Sequence, residues 1–293
     1  MRWVEITVNA TGESAEAVSN ILIEEGCGGT ATSSLVKSDK QTANDIIGYL
    51  PVDDRLEGRL QNISERVKTL PDLGLSLASD EITIKRVKDE EWASAWKKFF
   101  KPLKIGRVVI RPTWEEYDPQ PDDIVIDLDP GMAFGTGSHP TTKLCLEALQ
   151  DYVKGGETVL DMGTGSAILA MAAARLGAAR VVGLEIDPVA VEAAVDNVKR
   201  VNLGNTIKIE RADSPSAFEG QADIVLANII AKVIIDMAEG LASKVRPGGI
   251  LIASGIVVER SQEVIDTLTS LGLKLHEVRQ GGDWVALVFK QPD

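Results

Sequence analysis

A chain of 293 residues with 44% hydrophobic and 26% charged side chains reads as a globular protein of two domains, one about twice the other. No run of eighteen apolar residues occurs, and the opening MRWVEITVNA lacks a basic region followed by an apolar one, so neither a membrane span nor a secretory signal is expected. Two distant cysteines, Cys27 and Cys145, exclude a disulfide framework and zinc-ligand spacing and make a reducing cytoplasm the expected compartment. The net charge of −13 argues against duplex nucleic acid as the main partner. It is spread evenly: residues 1–100 carry 17 acidic and 12 basic side chains, residues 101–293 carry 27 and 19. Solubility explains such a charge, and so does a basic macromolecular substrate.

The first segment reads β-α-β-β-α-β. Trp3–Val8 alternates apolar and polar, and Ser14–Glu25 has helical period with Ala15, Val18, Ile21 and Leu22 on one face. Strands follow at 31–36 and 44–50, a helix carries Leu56, Leu60, Ile63 and Val67, and Ile82, Ile84 and Val87 mark a last strand. That order predicts a small ferredoxin-like α+β domain over residues 1–88. DEEWASAWKKFF follows, acidic at its start and basic at its end as a helix dipole favours, and residues 89–101 are expected to be a linker helix. Trp92, Trp96 and Phe99 would share one face of it, as packing residues.

Residues 102–293 form the second expected domain. Ile105–Arg111 and Asp123–Leu128 look like a strand pair around PTWEEYDPQPDD. From 140 onward strands and helices alternate: strands at 158–161, 181–185, 207–211, 224–227 and 250–253, with helices at 168–176, 188–202, about 230–243 and 260–271. Asp187 and Pro188 read as an N-cap and first helical residue. Lys274–Val278 and Trp284–Phe289 close the chain as a hairpin, which puts an antiparallel strand into a parallel sheet. The whole predicts an α/β, seven-stranded Rossmann-like domain.

Thr158-Val-Leu-Asp161-Met-Gly163-Thr-Gly165 is a strand running into a glycine turn before a helix. Such a turn brings backbone N–H groups to the carboxyl edge of the sheet, where open α/β folds bind ligands. A dinucleotide fingerprint needs glycine where Ile168 stands, and no phosphate-cradling GxxxxGK[ST] loop occurs. Glu185 ends the second strand, where a carboxylate accepts from ribose hydroxyls. Asp161 could accept from a cationic amino group and Asp213 from an adenine amino group, although a plain surface turn explains Asp213 equally well. A ribose-bearing ligand without phosphates fits this set best.

These residues also carry a resemblance. VLDMGTGSAILA followed by GLEIDP is the class I methyltransferase motif, and LDPGMAFGTGSHPTTKLCLEAL, DIVLANIIAKVI, WASAWKKFFKP and the closing SGI…DWVAL resemble the bacterial methyltransferases of ribosomal protein L-eleven. The likeness runs from residue 92 to the end, and the first domain fits that family's substrate-recognition domain. It implies S-adenosyl-L-methionine as cofactor, contacted by Thr142, Gly163, Glu185 and Asn228, and Gly165, Asp161 and Asp213 are expected beside them. Ala167 replaces the third glycine usual in the loop, and Glu185 stands where the family generally has Asp. Asn228 is the expected catalytic residue, accepting a hydrogen bond from the substrate amine or the cofactor. His139 reads as a turn-shaping residue before Pro140 or as a base, and Phe134 and Trp114 as pocket walls or core. No general base is evident, no metal is implied, and nothing demands more than a monomer.

The implied reaction is methylation of lysine and N-terminal α-amino groups of ribosomal protein L-eleven. The competing readings are an RNA or small-molecule methyltransferase on the same fold and a module that binds the cofactor without catalysis. The absence of a basic patch and of an Asn-Pro-Pro-aromatic tetrad (Asn228-Ile-Ile-Ala231 stands instead) weakens the first alternative.

Overall fold

The chain divides into two units, Met1–Lys101 and Pro102–Asp293. The computed structural model describes residues 3–11, 14–27, 30–35, 43–53, 55–71, 75–87, 101–129 and 137–293. The expected linker helix with Trp92, Trp96 and Phe99, and the expected pocket residue Phe134, lie outside these described residues.

In the first unit, β1 (Trp3–Ala10), α1 (Ala15–Glu24), β2 (Thr30–Leu35), β3 (Ala43–Pro51), α2 (Leu56–Thr69) and β4 (Leu77–Val87) follow the β-α-β-β-α-β order. The sheet order is β2-β3-β1-β4, antiparallel throughout, the ferredoxin-like arrangement. Val4, Ile6, Val8 and Ala10 of β1 are buried with Val18 and Leu22 of α1 and Ile63 and Val67 of α2, while Glu5, Thr7 and Asn9 face away and are half-buried.

The second unit holds two sheets. A small one joins β5 (Leu103–Ile105), β6 (Val108–Pro112) and β7 (Ile124–Leu128). The expected single strand 105–111 is therefore two. Gly106 breaks it at φ +57°, and Gln150 holds the turn by accepting from Arg107 N at 2.7 Å and donating to Ile105 O at 3.1 Å. The expected pair exists as β6 beside β7, running parallel.

The large sheet runs β10 (Ile207–Arg211), β9 (Arg180–Glu185), β8 (Thr158–Met162), β11 (Ala222–Asn228), β12 (Val245–Val257), β14 (Trp284–Lys290), β13 (Lys274–Gly281). Only β14 opposes its neighbours, as the closing hairpin requires. Its helices are α3 (Pro140–Tyr152), α4 (Ile168–Leu176), α5 (Pro188–Arg200), α6 (Ala231–Asp236), α7 (Ala238–Lys244) and α8 (Ser261–Ser270). The expected helix at 230–243 is two short ones that part at Met237, a position with neither proline nor glycine. Successive strand residues go to opposite cores: Val159, Ile224, Leu226 and Ile252 pack with α3, α4 and α5, while Leu160, Val225, Ala227 and Leu251 pack with α6, α7 and α8. Both faces are thus covered, and only the edges of the sheet are left for ligands.

Candidate active site

The carboxyl edge of the large sheet gathers most of the expected residues. Register places Met162 beside Leu184, Arg211 beside Glu185, Ala227 beside Met162, and Asn228 beside Ser254, so the strand ends of β10, β9, β8, β11 and β12 form one continuous rim.

The glycine loop between β8 and α4 is held at almost every residue. Gly163 N and Thr164 N both donate to Leu184 O, at 2.8 and 3.0 Å. Thr164 Oγ1 donates to Asp161 Oδ2 at 2.7 Å, and Ala167 N to Thr164 O at 2.9 Å. Gly163 has φ +74°, and a Cβ there would lie 2.4 Å from Ile229 Cγ2, so only glycine fits. Ala167, the departure from the usual glycine, takes φ +66° and stands at the N-cap of α4 without a side-chain bond.

Glu185 reaches over this loop. Its Oε2 accepts from Gly165 N at 3.0 Å, and its Oε1 accepts from Ile186 N and Asp187 N at 2.9 and 3.1 Å. A carboxylate has about four acceptor positions, so capacity remains for a ribose hydroxyl. Ile186 beside it is 60% exposed. Asp187 caps α5 through Val189 N at 2.9 Å, as expected. Asp213 lies beyond the end of β10, exposed, next to Ala212, whose N donates to Glu185 O.

Asp161 is the most constrained group. It is 1% exposed, and burial, with the Glu185 charge adding to it, pushes its carboxyl up to about 6 against the pull of Thr164. Its Oδ1 is buried with no protein partner. Asn228, at the end of β11, points Nδ2 toward Thr142 Oγ1 at 3.5 Å and leaves Oδ1 buried and unpartnered. Two orphaned acceptors at one sheet edge are open to donors from a bound molecule, which would offset the cost of burying an acceptor without one.

Thr142 lies in the first turn of α3 and is buried. His139 is the N-cap of that helix: its Nδ1 accepts from Thr141 N at 3.3 Å and lies 2.8 Å from Thr141 Oγ1. Burial, with Lys143 adding to it, pushes this imidazole down to about 4, so it is neutral near pH 7 and accepts at the cap. Cys145 is fully buried packing with its thiol pushed up to about 12 by burial. Trp114 is half-buried after β6. Among the described residues no cluster of His, Cys, Asp and Glu could hold a metal ion.

Three contributors had no place in the expectations. Trp284 meets the His139 ring edge-on at 4.7 Å and carries a buried, unpartnered Nε1. Gly255, at φ +82°, passes so close to Ile229 that a Cβ would sit 2.3 Å from Ile229 O. Asn197 on α5 bonds to Ser166 O. Gly255 and Trp284 fall in the segments SGI and DWVAL that carry the resemblance, without a role read for either, and Asn197 shows as an amide on the apolar stripe Ala190, Ala194, Val198.

A seven-stranded sheet with one reversed strand, a glycine loop after β8 and an acid after β9 is the architecture of class I S-adenosylmethionine-dependent methyltransferases. The orphaned carboxylate and amide oxygens suit a cofactor with a cationic amino group and hydroxyls. Comparison with known proteins narrows the class. The family model for Ribosomal protein L11 methyltransferase (PrmA) matches residues 2–292, and the chain belongs to that family. It is 38% identical to the ribosomal protein L11 methyltransferase of Alkaliphilus oremlandii over 99% of both chains. With that of Anoxybacillus flavithermus it shares 40% identity over 99% of this chain and 100% of the relative. The crystal structure of ribosomal protein L11 methylase from Lactobacillus delbrueckii subsp. bulgaricus superposes with a TM-score of 0.63 at 30% identity, covering 66% of this chain and all of that one. The protein is accordingly a methyltransferase that uses S-adenosyl-L-methionine. No helix among the described residues is long and apolar enough to cross a membrane.

Proposed function

We propose that this chain is a protein N-methyltransferase acting on ribosomal protein L11, at lysine side chains and the N-terminal α-amine. The observation that carries this reading is Asn228 Oδ1: a buried acceptor at the sheet edge without a protein partner, on an amide whose Nδ2 points toward Thr142 Oγ1. The relatives that bear the name ribosomal protein L11 methyltransferase match over essentially their whole lengths, which supports that substrate.

The cofactor supplies a methyl group on a sulfonium, ready for in-line displacement. Asp161 Oδ1 would hold its cationic amino group, Gly163 and Gly165 give it room at the backbone, and Glu185 keeps acceptor capacity for the ribose. Thr142 and Asn228 lie at the reacting end. Asp213 would accept from the adenine amino group. Asn228 Oδ1 accepts one N–H of a neutral amine, which turns the nitrogen lone pair toward the methyl. Positioning of this kind supplies much of the rate in displacement reactions. The amine must arrive neutral: at pH 7 that costs roughly 4–5 kcal/mol for a lysine and about 1 kcal/mol for an α-amine. Apolar walls lower the cost by disfavouring the ammonium, and Ile230, 64% exposed two residues after Asn228, offers such a wall. His139 is spent on the helix cap, so proton loss falls to water.

Residues 1–88 form the substrate-recognition part in this reading, residues 89–101 the linker and 102–293 the catalytic part. An enzyme of net charge −13 attracts a basic ribosomal protein and repels bare RNA. The test is transfer of labelled methyl from S-adenosylmethionine to purified ribosomal protein L11, to bulk ribosomal RNA, or to neither. Label is expected in the protein, on amines; label in RNA alone overturns the reading.

A further inference from the structure

Asn197 is 1% exposed in the middle of α5, on the stripe that otherwise carries Ala190, Ala194 and Val198. A side-chain amide in such a place is destabilising unless both ends are bonded. Both are, and each bond reaches the backbone of a different functional segment. Nδ2 donates to Ser166 O at 3.1 Å, in the glycine loop, and Oδ1 accepts from Asp129 N at 3.2 Å, just after β7. Arg200, three residues along the helix, adds an ion pair to the Asp129 carboxylate at 3.9 Å.

Asp129 begins the stretch that leads to Gly137 and α3, the helix of Thr142. The far end of that stretch is also fixed against the glycine loop's helix. Gly137, at φ +86°, has no room for a Cβ, which would lie 2.3 Å from Ile110 Cδ1 and 3.0 Å from Ile168 Cδ1, and Ile168 is the first residue of α4. Thr142 on one side and Asp161, Gly163 and Glu185 on the other must meet a single cofactor molecule, yet they lie on separate segments.

We propose that Asn197 is a positioning residue that ties the backbone of the glycine loop at Ser166 to the end of β7 at Asp129, and so holds the loop in the form that fits the cofactor. This rests on the cofactor reading above. The bonds go to backbone atoms, so changes in the side chains of Ser166 or Asp129 do not remove them; Asn197 is the point at which both can be cut. Leucine matches its size and cuts both bonds. Aspartate keeps the acceptor for Asp129 N, loses the donor to Ser166 O and sets a charge against that carbonyl; once protonated, it restores a donor and an acceptor together.

The experiment compares Asn197→Leu and Asn197→Asp with Val198→Ala, a buried neighbour that packs in the core and makes no side-chain hydrogen bond. S-adenosylhomocysteine affinity is measured by calorimetry, kcat and KM with labelled cofactor, and thermal midpoints by circular dichroism. Asn197→Leu is expected to weaken S-adenosylhomocysteine by about tenfold or more, from two lost hydrogen bonds, while Val198→Ala at a similar loss of midpoint stays within about twofold. Asn197→Asp is expected to resemble the leucine variant at pH 8, and to regain affinity relative to wild type as the pH falls toward 6. Unchanged affinity in either Asn197 variant overturns the proposal. So does an equal loss in Val198→Ala, or a variant-to-wild-type ratio for Asn197→Asp that does not move with pH. Should Asn197→Leu fail to fold, the pH ratio for Asn197→Asp decides alone. Wild-type protein that does not bind S-adenosylhomocysteine would instead refute the cofactor reading.

Discussion

Among the described residues, helices pack on one face of the first unit's sheet and on both faces of the large sheet of the second unit. In β1, Val4, Ile6 and Val8 are buried while Glu5, Thr7 and Asn9 between them stay half-buried. In β11, Ile224 to Ala227 are all buried, split by parity between two cores. A covered sheet has no face left for ligands, so binding is expected at its edge, where Glu185 and Asn228 end their strands and Asp161 stands one residue before the end of β8. The first unit's sheet carries a polar face, with Tyr49 donating to Glu5 across it. In the proposed function the two units take different ligands: a small molecule at a rim, a protein on a surface.

The sharpest way to break this comparison is to cut into each sheet. Leu226→Ala, in the middle of the covered sheet, is expected to cost about 2–5 kcal/mol. Thr7→Ala, on the open face of β1, is expected to stay within about 0.5 kcal/mol. Denaturant midpoints check both, and equal losses would mean that the open face is not open. Next in size is Gly163→Arg. Its side chain must displace Ile229 from the loop, and a loss of at least about a hundredfold in S-adenosylmethionine affinity is expected, with the circular dichroism spectrum retained. Unchanged affinity by calorimetry would remove the loop from the site. A third cut acts on the open face alone: Glu5→Lys with Thr7→Lys is expected to raise KM for the protein substrate severalfold and leave cofactor affinity within about twofold. A rise in both constants would unite what the comparison separates.

How much of this was legible depended on whether the signal was local. The helix at 168–176 ends where Gly177 takes φ +117°, and both bounds are readable from a glycine and an apolar run. Alternation in β1 and unbroken apolar runs in β11 told one-sided from two-sided burial. The turn at Gly106 was hidden because its partner is Gln150, on a helix forty-four residues away. The parting of α6 and α7 at Met237 has no residue that marks it. At the site, the acids and glycines announced themselves by position on strand ends. The contact of Trp284 with His139 spans the unit and left no pattern, and Asn197 left only one polar residue on an apolar stripe.

The smaller effects test the rim itself through pH. Asp161, pushed up to about 6 by burial, is ionised above that pH and neutral below it. Only the ionised form attracts the ammonium of the cofactor, so affinity is expected to hold from pH 8 to about 6.5 and then fall, by up to tenfold per unit below about 6. The effect on stability has the opposite sign. A carboxyl that holds its proton more tightly when folded favours the fold as the pH falls from about 6 toward 4. His139, pushed down to about 4, works against it, because the unfolded chain takes up a proton on that imidazole below about 6.5. Weaker binding at pH 5.5 with little loss of thermal midpoint therefore identifies Asp161 rather than partial unfolding. Asp161→Asn should bind weakly at every pH and lose the step, measured by calorimetry from pH 5 to 8. Asp213→Asn, altering an exposed side chain at the outer end of the same rim, is expected to change affinity by no more than about threefold and to keep the step. A lost step in Asp213→Asn would move the titrating group from the covered strand end of β8 to the exposed turn after β10.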